Sequence, residues 1–150
     1  EDSPAASLAD LRGYRCAFSR RDSHSGYNVL RASIAPLARG GAFFSETLES
    51  GAHARSIALV ASRRADVCAV DCVTHALMAR HGPAALEGTR VLCATARAPG
   101  LPYVTRAGIG VDRLERLRDG VRAAFADPAL AATREALLLA GVEFLPLAAY

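Results

Sequence analysis

Two hydrophobic periods alternate along this chain. Residues 14–18 form a short, mostly apolar run with Gly13 before it and polar residues after it, which predicts a strand. Tyr27, Leu30, Ile34 and Leu37 then recur at helical spacing, with Ala38 widening the same face. Pro36 falls late in that pattern, so the helix is expected to kink or end early. Gly40 and Gly41 close the segment, as glycine does at a helix C-cap. A second strand is expected around residues 45–49, closing on Ser50-Gly51, and a helix over residues 52–63 with Ile57, Val60 and Ala61 on one face. Residues 66–71 are apolar without alternation, the mark of a central parallel strand buried on both faces. A helix over residues 71–80 then ends at His81-Gly82-Pro83, and residues 90–95 predict a fourth strand.

Four strands separated by helices imply βαβ crossovers and a parallel sheet, hence an α/β fold. The lead-in, residues 1–9, is polar, and residues 10–13 read as a turn into the first strand. Ala98-Pro-Gly-Leu-Pro102 breaks the alternation, and residues 103–105 resume an extended conformation, which suits a connector that holds its shape. Two helices follow, over residues 111–126 and 128–140. Asp127 is placed to cap the second, Pro128 suits its first turn, and Gly141 is expected to close it.

Composition narrows the picture modestly. At 150 residues the chain can bury one core or two small lobes, and its apolar runs are too short to cross a bilayer. The net charge is +3, and all 18 basic residues are arginine. They are scattered, with no basic run or aromatic ladder, which argues against a nucleic-acid partner. Cys16, Cys68, Cys72 and Cys93 lack CxxC or Cys/His ligand spacing, and three lie in predicted strands, so free thiols are favoured over a disulfide or a metal site. No cofactor is implied.

The chemistry collects at the strand-to-helix turns. In a parallel sheet these turns share one edge, and ligands bind outside the carboxyl ends of the strands. The first turn carries Ser23, His24, Ser25 and Gly26, the second carries His53 after Ser50-Gly51-Ala52, and the third carries Asp71. The free N–H groups and dipole of a helix start favour an anion, and serine hydroxyls add donors. The set describes an anion site with one carboxylate apart from it. Each residue also has a plainer use: Ser23 or Ser25 as an N-cap, His53 on a helix surface, Asp71 as an N-cap. His75 and His81 read as surface or capping residues. Ser25, His53 and Asp71 also hold the three residue types of a hydrolytic triad, but Ser25-Gly26 lacks the G-x-S-x-G elbow, and nothing orders the residues as base and orienter.

Four segments in this order carry a family resemblance. Asp22-Ser-His-Ser-Gly-Tyr27 resembles the S-x-S-G-Y segment of the phosphate/phosphite/phosphonate substrate-binding proteins of ABC transporters. Phe43-Phe44 with Ser50-Gly-Ala-His53 resembles their FF…S/T-G-S-H segment, and Arg64-Ala-Asp-Val-Cys-Ala-Val-Asp-Cys72 their G-R-A-D-V-A-A-I-D-C segment. Thr95-Ala-Arg-Ala-Pro-Gly-Leu-Pro102 resembles their T-P-x-A-P-G-L-P crossover, and the likeness runs from about Leu8 to Tyr150.

The resemblance implies a type 2 periplasmic-binding fold, in which two α/β lobes hold the ligand in a cleft between them. It implies that Ser23, His24, Ser25, Gly26 and His53 hold the oxygens of a phosphonate-, phosphite- or phosphate-like oxyanion, and that Asp71 meets a substrate amine. His24 stands where phosphonate binders have threonine, and Ala52 where they have serine. Residues 1–96 would be the second lobe with its lead-in, residues 97–106 the crossover connector, and residues 107–150 helices that pack on a first lobe, with the N-terminal lobe segment missing. Leu137, Leu138 and Leu139 would then be left uncovered. The implied function is the non-enzymatic, periplasmic or extracytoplasmic binding component of an ABC transporter, with a membrane permease as partner. The rivals are a ligand-sensing effector domain of a regulatory protein and a small Ser/His hydrolase.

Overall fold

The computed structural model describes residues 3–38 and 40–149. Glu1 and Asp2 of the expected lead-in, and Tyr150 at the end of the expected resemblance, lie outside the described residues. The chain divides into two compact units, Glu1–Ala96 and Arg97–Tyr150.

The first unit is built on a three-stranded parallel sheet. Strand β1 (Arg15–Phe18) lies in the centre, between β2 (Glu46–Glu49) and β3 (Val67–Cys68). Cys16 pairs with Thr47 on one side and Val67 on the other, and Phe18 pairs with Glu49. The pleat sends Cys16 to one face, where it packs with Leu11, Leu30, Ile34 and Phe43. Ala17, on the opposite side of the pleat, is fully buried, and Ile57 of helix α2 (His53–Ala61), which contacts β1, is buried as well. The sheet therefore has cover on both faces of its central strand, as parallel sheets require.

The segment after β1 becomes helical in three steps. A five-residue π turn (His24–Asn28) leads into α1 (Val29–Ile34), and a 3-10 turn (Ala35–Leu37) ends it. Pro36 sits in that last turn, where its missing N–H stops the α-helical pattern, as its position in the sequence predicts. Helix α3 (Cys72–His81) follows β3 and closes at Gly82. Arg15 and Asp66 clamp the start of the sheet: the guanidinium meets both carboxylate oxygens at 2.7 and 3.0 Å, and the Arg15 N–H donates to Asp66 at 2.8 Å.

Two expectations for the sheet need correction. The run over residues 66–71 forms a strand only at Val67–Cys68, on the edge, and β1 is the central strand. Residues 90–95 form no strand. Their composition suits one, but a strand exists only where a neighbour completes its ladder, and the sheet ends at β3. Val91 is 65% exposed, and of this run Leu92 packs against the core. Arg90 instead ties down the lead-in, donating to the Ser3 and Ala5 carbonyls.

In the second unit α4 (Val111–Ala126) has the bounds its periodicity predicts. Asp127 then caps the next turn, accepting from Ala129 N at 2.8 Å. A 3-10 turn (Pro128–Leu130) precedes α5 (Ala131–Ala136), which ends well before Gly141. The stop is a left-handed residue, Leu138, at φ 59°. Leu138 N donates to Glu135 O and Leu139 N to Arg134 O, the paired bonds that close a helix end. Leu137, Leu138 and Leu139 are exposed. Arg118 and Arg122 stack over Phe144, at 5.5 and 4.6 Å from its ring centre.

Candidate functional site

The candidate site lies where β1 and β2 hand over to their helices. Beyond Phe18 the chain turns at Ser19, and beyond Glu49 at Ser50, and the two turns are laced together. Ser50 N donates to Phe18 O at 2.9 Å and Gly51 N to Ser19 O at 2.8 Å. The Ser50 hydroxyl lies 3.0 Å from Phe18 O, 2.9 Å from Ala52 O and 2.7 Å from Ser56 Oγ. Ser56 is fully buried, so this hydroxyl pair pins the first turn of α2 to the end of β1.

Ser23 and Ser25 differ in their roles. Ser23, with extended backbone, accepts from Gly26 N at 3.0 Å and is the N-cap of the π turn. Its carbonyl takes Asn28 N at 3.0 Å and Asn28 Nδ2 at 3.1 Å, which fixes the wide five-residue turn. Ser25 makes no such cap among the described residues. Its hydroxyl faces the imidazole of His53, with Oγ 3.5 Å from Nε2. The structure thus brings the serine turn and the second helix start together. His24, between the two serines, is exposed.

Gly26 is the tightest point of the arrangement. A β-carbon there would lie 2.1 Å from Ser19 Oγ and 2.9 Å from His53 Cε1. Only glycine lets the turn, Ser19 and His53 approach this closely. Around the rim, Arg20 pairs with Asp22 at 2.6 Å, and its guanidinium holds the Asp22 carboxyl below the usual carboxylate value. Arg21 lies over the Phe18 and Tyr27 rings, which themselves pack with centroids 4.8 Å apart.

Three helix starts face the carboxyl edge, and their caps differ. Ser23 caps the π turn. Asp71 caps α3, accepting from Thr74 N at 2.9 Å. The N-cap position of α2 is Ala52, which supplies no side-chain cap. The first N–H groups of a helix have no partner within it, so an uncapped start presents donors and the positive end of the dipole. Asp71 is half-buried and sits on the β3 side of the edge, with no bond to Ser25 or His53 among the described residues.

This geometry does not assemble a triad. A catalytic histidine needs a carboxylate on the nitrogen facing away from the nucleophile. Here His53 Nδ1 is buried with no partner among the described residues, and Asp71 is committed to Thr74. Among the described residues no cluster of three His, Cys, Asp or Glu could hold a metal ion. Residue pattern alone missed Ser19 and Ser56. Ser19 reads as the first polar residue after a strand and Ser56 as an interior helix residue, and only the folded packing places Ser19 at Gly26 and Ser56 at Ser50.

The family model for the phosphonate periplasmic substrate-binding protein of ABC transporters matches residues 1–144. Among curated proteins none matches significantly. Among the described residues no helix is long and apolar enough to cross a membrane. The match spans the serine turn, the His53 turn and the Asp71 turn alike, and the parallel α/β sheet is the framework such a lobe requires. The chain belongs to the phosphonate-type substrate-binding proteins of ABC transporters, which work in the periplasm.

Proposed function

We propose that this chain binds a phosphonate-, phosphite- or phosphate-like oxyanion at the starts of the π turn and of α2, and delivers it to a membrane permease. Ser25 and His53 would donate to the oxygens, with His24 at the exposed rim. Ser23 and Gly26 would shape the turn that presents them, and Asp71 would face the far end of the ligand. Residues 1–96 would be the ligand-holding lobe, residues 97–106 its connector, and residues 107–150 helices that serve another lobe. No chemical step is needed, because a binding protein only has to hold and release its ligand.

The observation that carries this is the uncapped start of α2 beside Ser25 Oγ and His53 Nε2. An oxyanion there would satisfy donors that the protein leaves open, as anions do at helix starts. The test is an NMR titration of the 150-residue chain with methylphosphonate, phosphite and phosphate, which reads weak binding as well as strong. The expected result is saturable shifts confined to the backbone N–H groups of residues 23–26 and 53–55. Shifts elsewhere, or none, would overturn the assignment. Incubation with p-nitrophenyl esters and phosphates should give no turnover.

A further inference from the structure

Arg55 stands at the end of α2 where an arginine is least suited. The helix starts without a side-chain cap and without an acidic residue in its first turn. Its first main-chain bond runs from Ser56 N to Ala52 O at 3.0 Å, so the N–H groups of His53, Ala54 and Arg55 come before the helix's own bonds. A cation there opposes the helix dipole, which favours carboxylates at this end and arginines at the other. Arg55 is exposed, and its side chain makes no ion pair or hydrogen bond among the described residues. Glu49, the carboxylate nearest in sequence, acts on Arg20, and Asp71 is committed to Thr74. Yet the guanidinium does not reach away from the site. Its Nη1 lies 3.6 Å from where a β-carbon of Gly51 would be, so it folds back over the turn between β2 and α2. The same turn borders two unsatisfied atoms. Ser19, whose carbonyl takes Gly51 N at 2.8 Å, is only 5% exposed, and its Oγ and His53 Nδ1 are buried with no partner among the described residues. Such atoms are rare in native interiors, and a bound ion is one thing that accounts for them.

We propose that Arg55 is a specificity-determining residue that makes the α2 start favour a doubly charged oxyanion over a singly charged one. The uncapped N–H groups supply partial positive charge, and the guanidinium adds a full charge that persists at every working pH. Its attraction grows in proportion to the charge of the ligand. Removing it therefore costs a dianion more than a monoanion of the same shape. The inference rests on the oxyanion reading of this site and names the charge state of its ligand.

The experiment is NMR titration of the 150-residue chain at low salt with methylphosphonate and with methanesulfonate. Both carry a methyl group and three oxygens, and above the second ionisation of methylphosphonate they differ by one charge. Working at one such pH keeps histidine titration out of the comparison. The unmodified chain should bind methylphosphonate more tightly. Arg55→Gln should weaken methylphosphonate about tenfold and methanesulfonate only about threefold, while Arg55→Lys should keep most of the preference. Arg64→Gln removes the same charge beyond the far end of α2 and should leave both constants in place. The melting temperature of ligand-free Arg55→Gln should hold or rise, because a cation has left the positive end of the helix. A ratio of the two constants that Arg55→Gln leaves unmoved overturns the proposal. So does an equal loss from Arg64→Gln, which would assign the preference to net charge, or a fall in melting temperature, which would make Arg55 a structural residue. If neither anion shifts residues 53–55 of the unmodified chain, the oxyanion reading fails and this inference falls with it. Binding there with an unmoved ratio sinks the inference alone.

Discussion

Ser25 Oγ stands 3.5 Å from His53 Nε2, joining the helix start that follows β1 to the one that follows β2. The two residues are 28 positions apart in sequence and meet because β1 and β2 are adjacent parallel strands in register. If both donate to one oxyanion, Ser25→Ala removes a charge-assisted bond worth about 1.5–3 kcal/mol. That is a loss of roughly one to two decades in affinity for methylphosphonate, read by calorimetry or NMR titration. Since Ser25 caps nothing among the described residues, the melting temperature should hold. An unchanged dissociation constant would remove Ser25 from the site.

Gly26 and Ser19 should show strong coupling. An alanine methyl at position 26 meets Ser19 Oγ at 2.1 Å and Ser19 Cβ at 3.0 Å, and a buried serine has little room to swing aside. Gly26→Ala should cost about 1–3 kcal/mol of stability, as overpacking does. In a Ser19→Gly background the part of that cost due to Ser19 should vanish, leaving the 2.9 Å approach to His53 Cε1, so the double-mutant cycle should be non-additive. Additive losses would mean that the turn relieves the clash by moving elsewhere.

The thiols divide by environment. Burial pushes the Cys16 thiol up to about 12, with neighbouring Cys68 adding to the effect, and burial raises Cys68 to about 11. Both stay protonated at neutral pH, and the thiolate is the reactive species. Cys72 and Cys93 are exposed. A thiol reagent at pH 8 should therefore modify Cys72 and Cys93 first, and all four in denaturant. Rapid native labelling at Cys16, located by mass spectrometry, would contradict the buried central strand.

Asp66 provides an acid-sensitive clamp. Its carboxyl is held below the usual carboxylate value, foremost by the side-chain bonds from Arg15, with the Arg15 N–H and its charge adding to them. The folded state thus takes up a proton less readily than the unfolded chain. The stabilisation is complete above the unfolded value of about 3.9 and is lost as pH falls through the lower folded value. Both partners are over a third exposed, or close to it, so screening limits the effect. Asp66→Asn should lower stability at pH 7 by about 1 kcal/mol at most, and the gap to the unmodified chain should close on acidification. A gap that persists at low pH would assign the loss to packing and not to charge.

Local signals made much of this architecture legible. Helix α4 needs only its own periodicity and the Asp127-Pro128 boundary, and it has the predicted bounds. Pro36 marks the end of α1 for the same local reason. What failed depends on partners distant in sequence. Residues 90–95 have strand composition but no neighbour, and Leu138 ends α5 through a left-handed turn that leucine does not advertise. The π turn at His24–Asn28 arises from how Ser23 holds Asn28. The pairing of Ser25 with His53 was legible only through the rule that parallel strands gather their turns on one edge. Ser19 was not legible at all, because its place against the α-carbon of Gly26 is set by packing between distant segments.

Asp71 separates the ligand classes, and its cap must be separated from its charge. Its Oδ1 accepts from Thr74 N at 2.9 Å, so a structural role is already in place. A carboxylate close to a bound oxyanion is repulsive, so a second role makes sense only if the ligand carries a cation at its far end. An aminoalkylphosphonate has that form. Asp71→Asn retains a good N-cap and removes the charge, whereas Asp71→Ala removes both. Asp71→Ala should therefore lower stability by about 1 kcal/mol, and Asp71→Asn by much less. If Asp71 meets an amine, both variants should weaken aminoalkylphosphonate binding selectively, by about 2–5 kcal/mol for a buried pair. Alkylphosphonates without the amine should bind Asp71→Asn as well as before, or better, because a repulsive charge is gone. Equal effects on both ligand classes, measured by calorimetry at fixed salt, would confine Asp71 to its cap on α3.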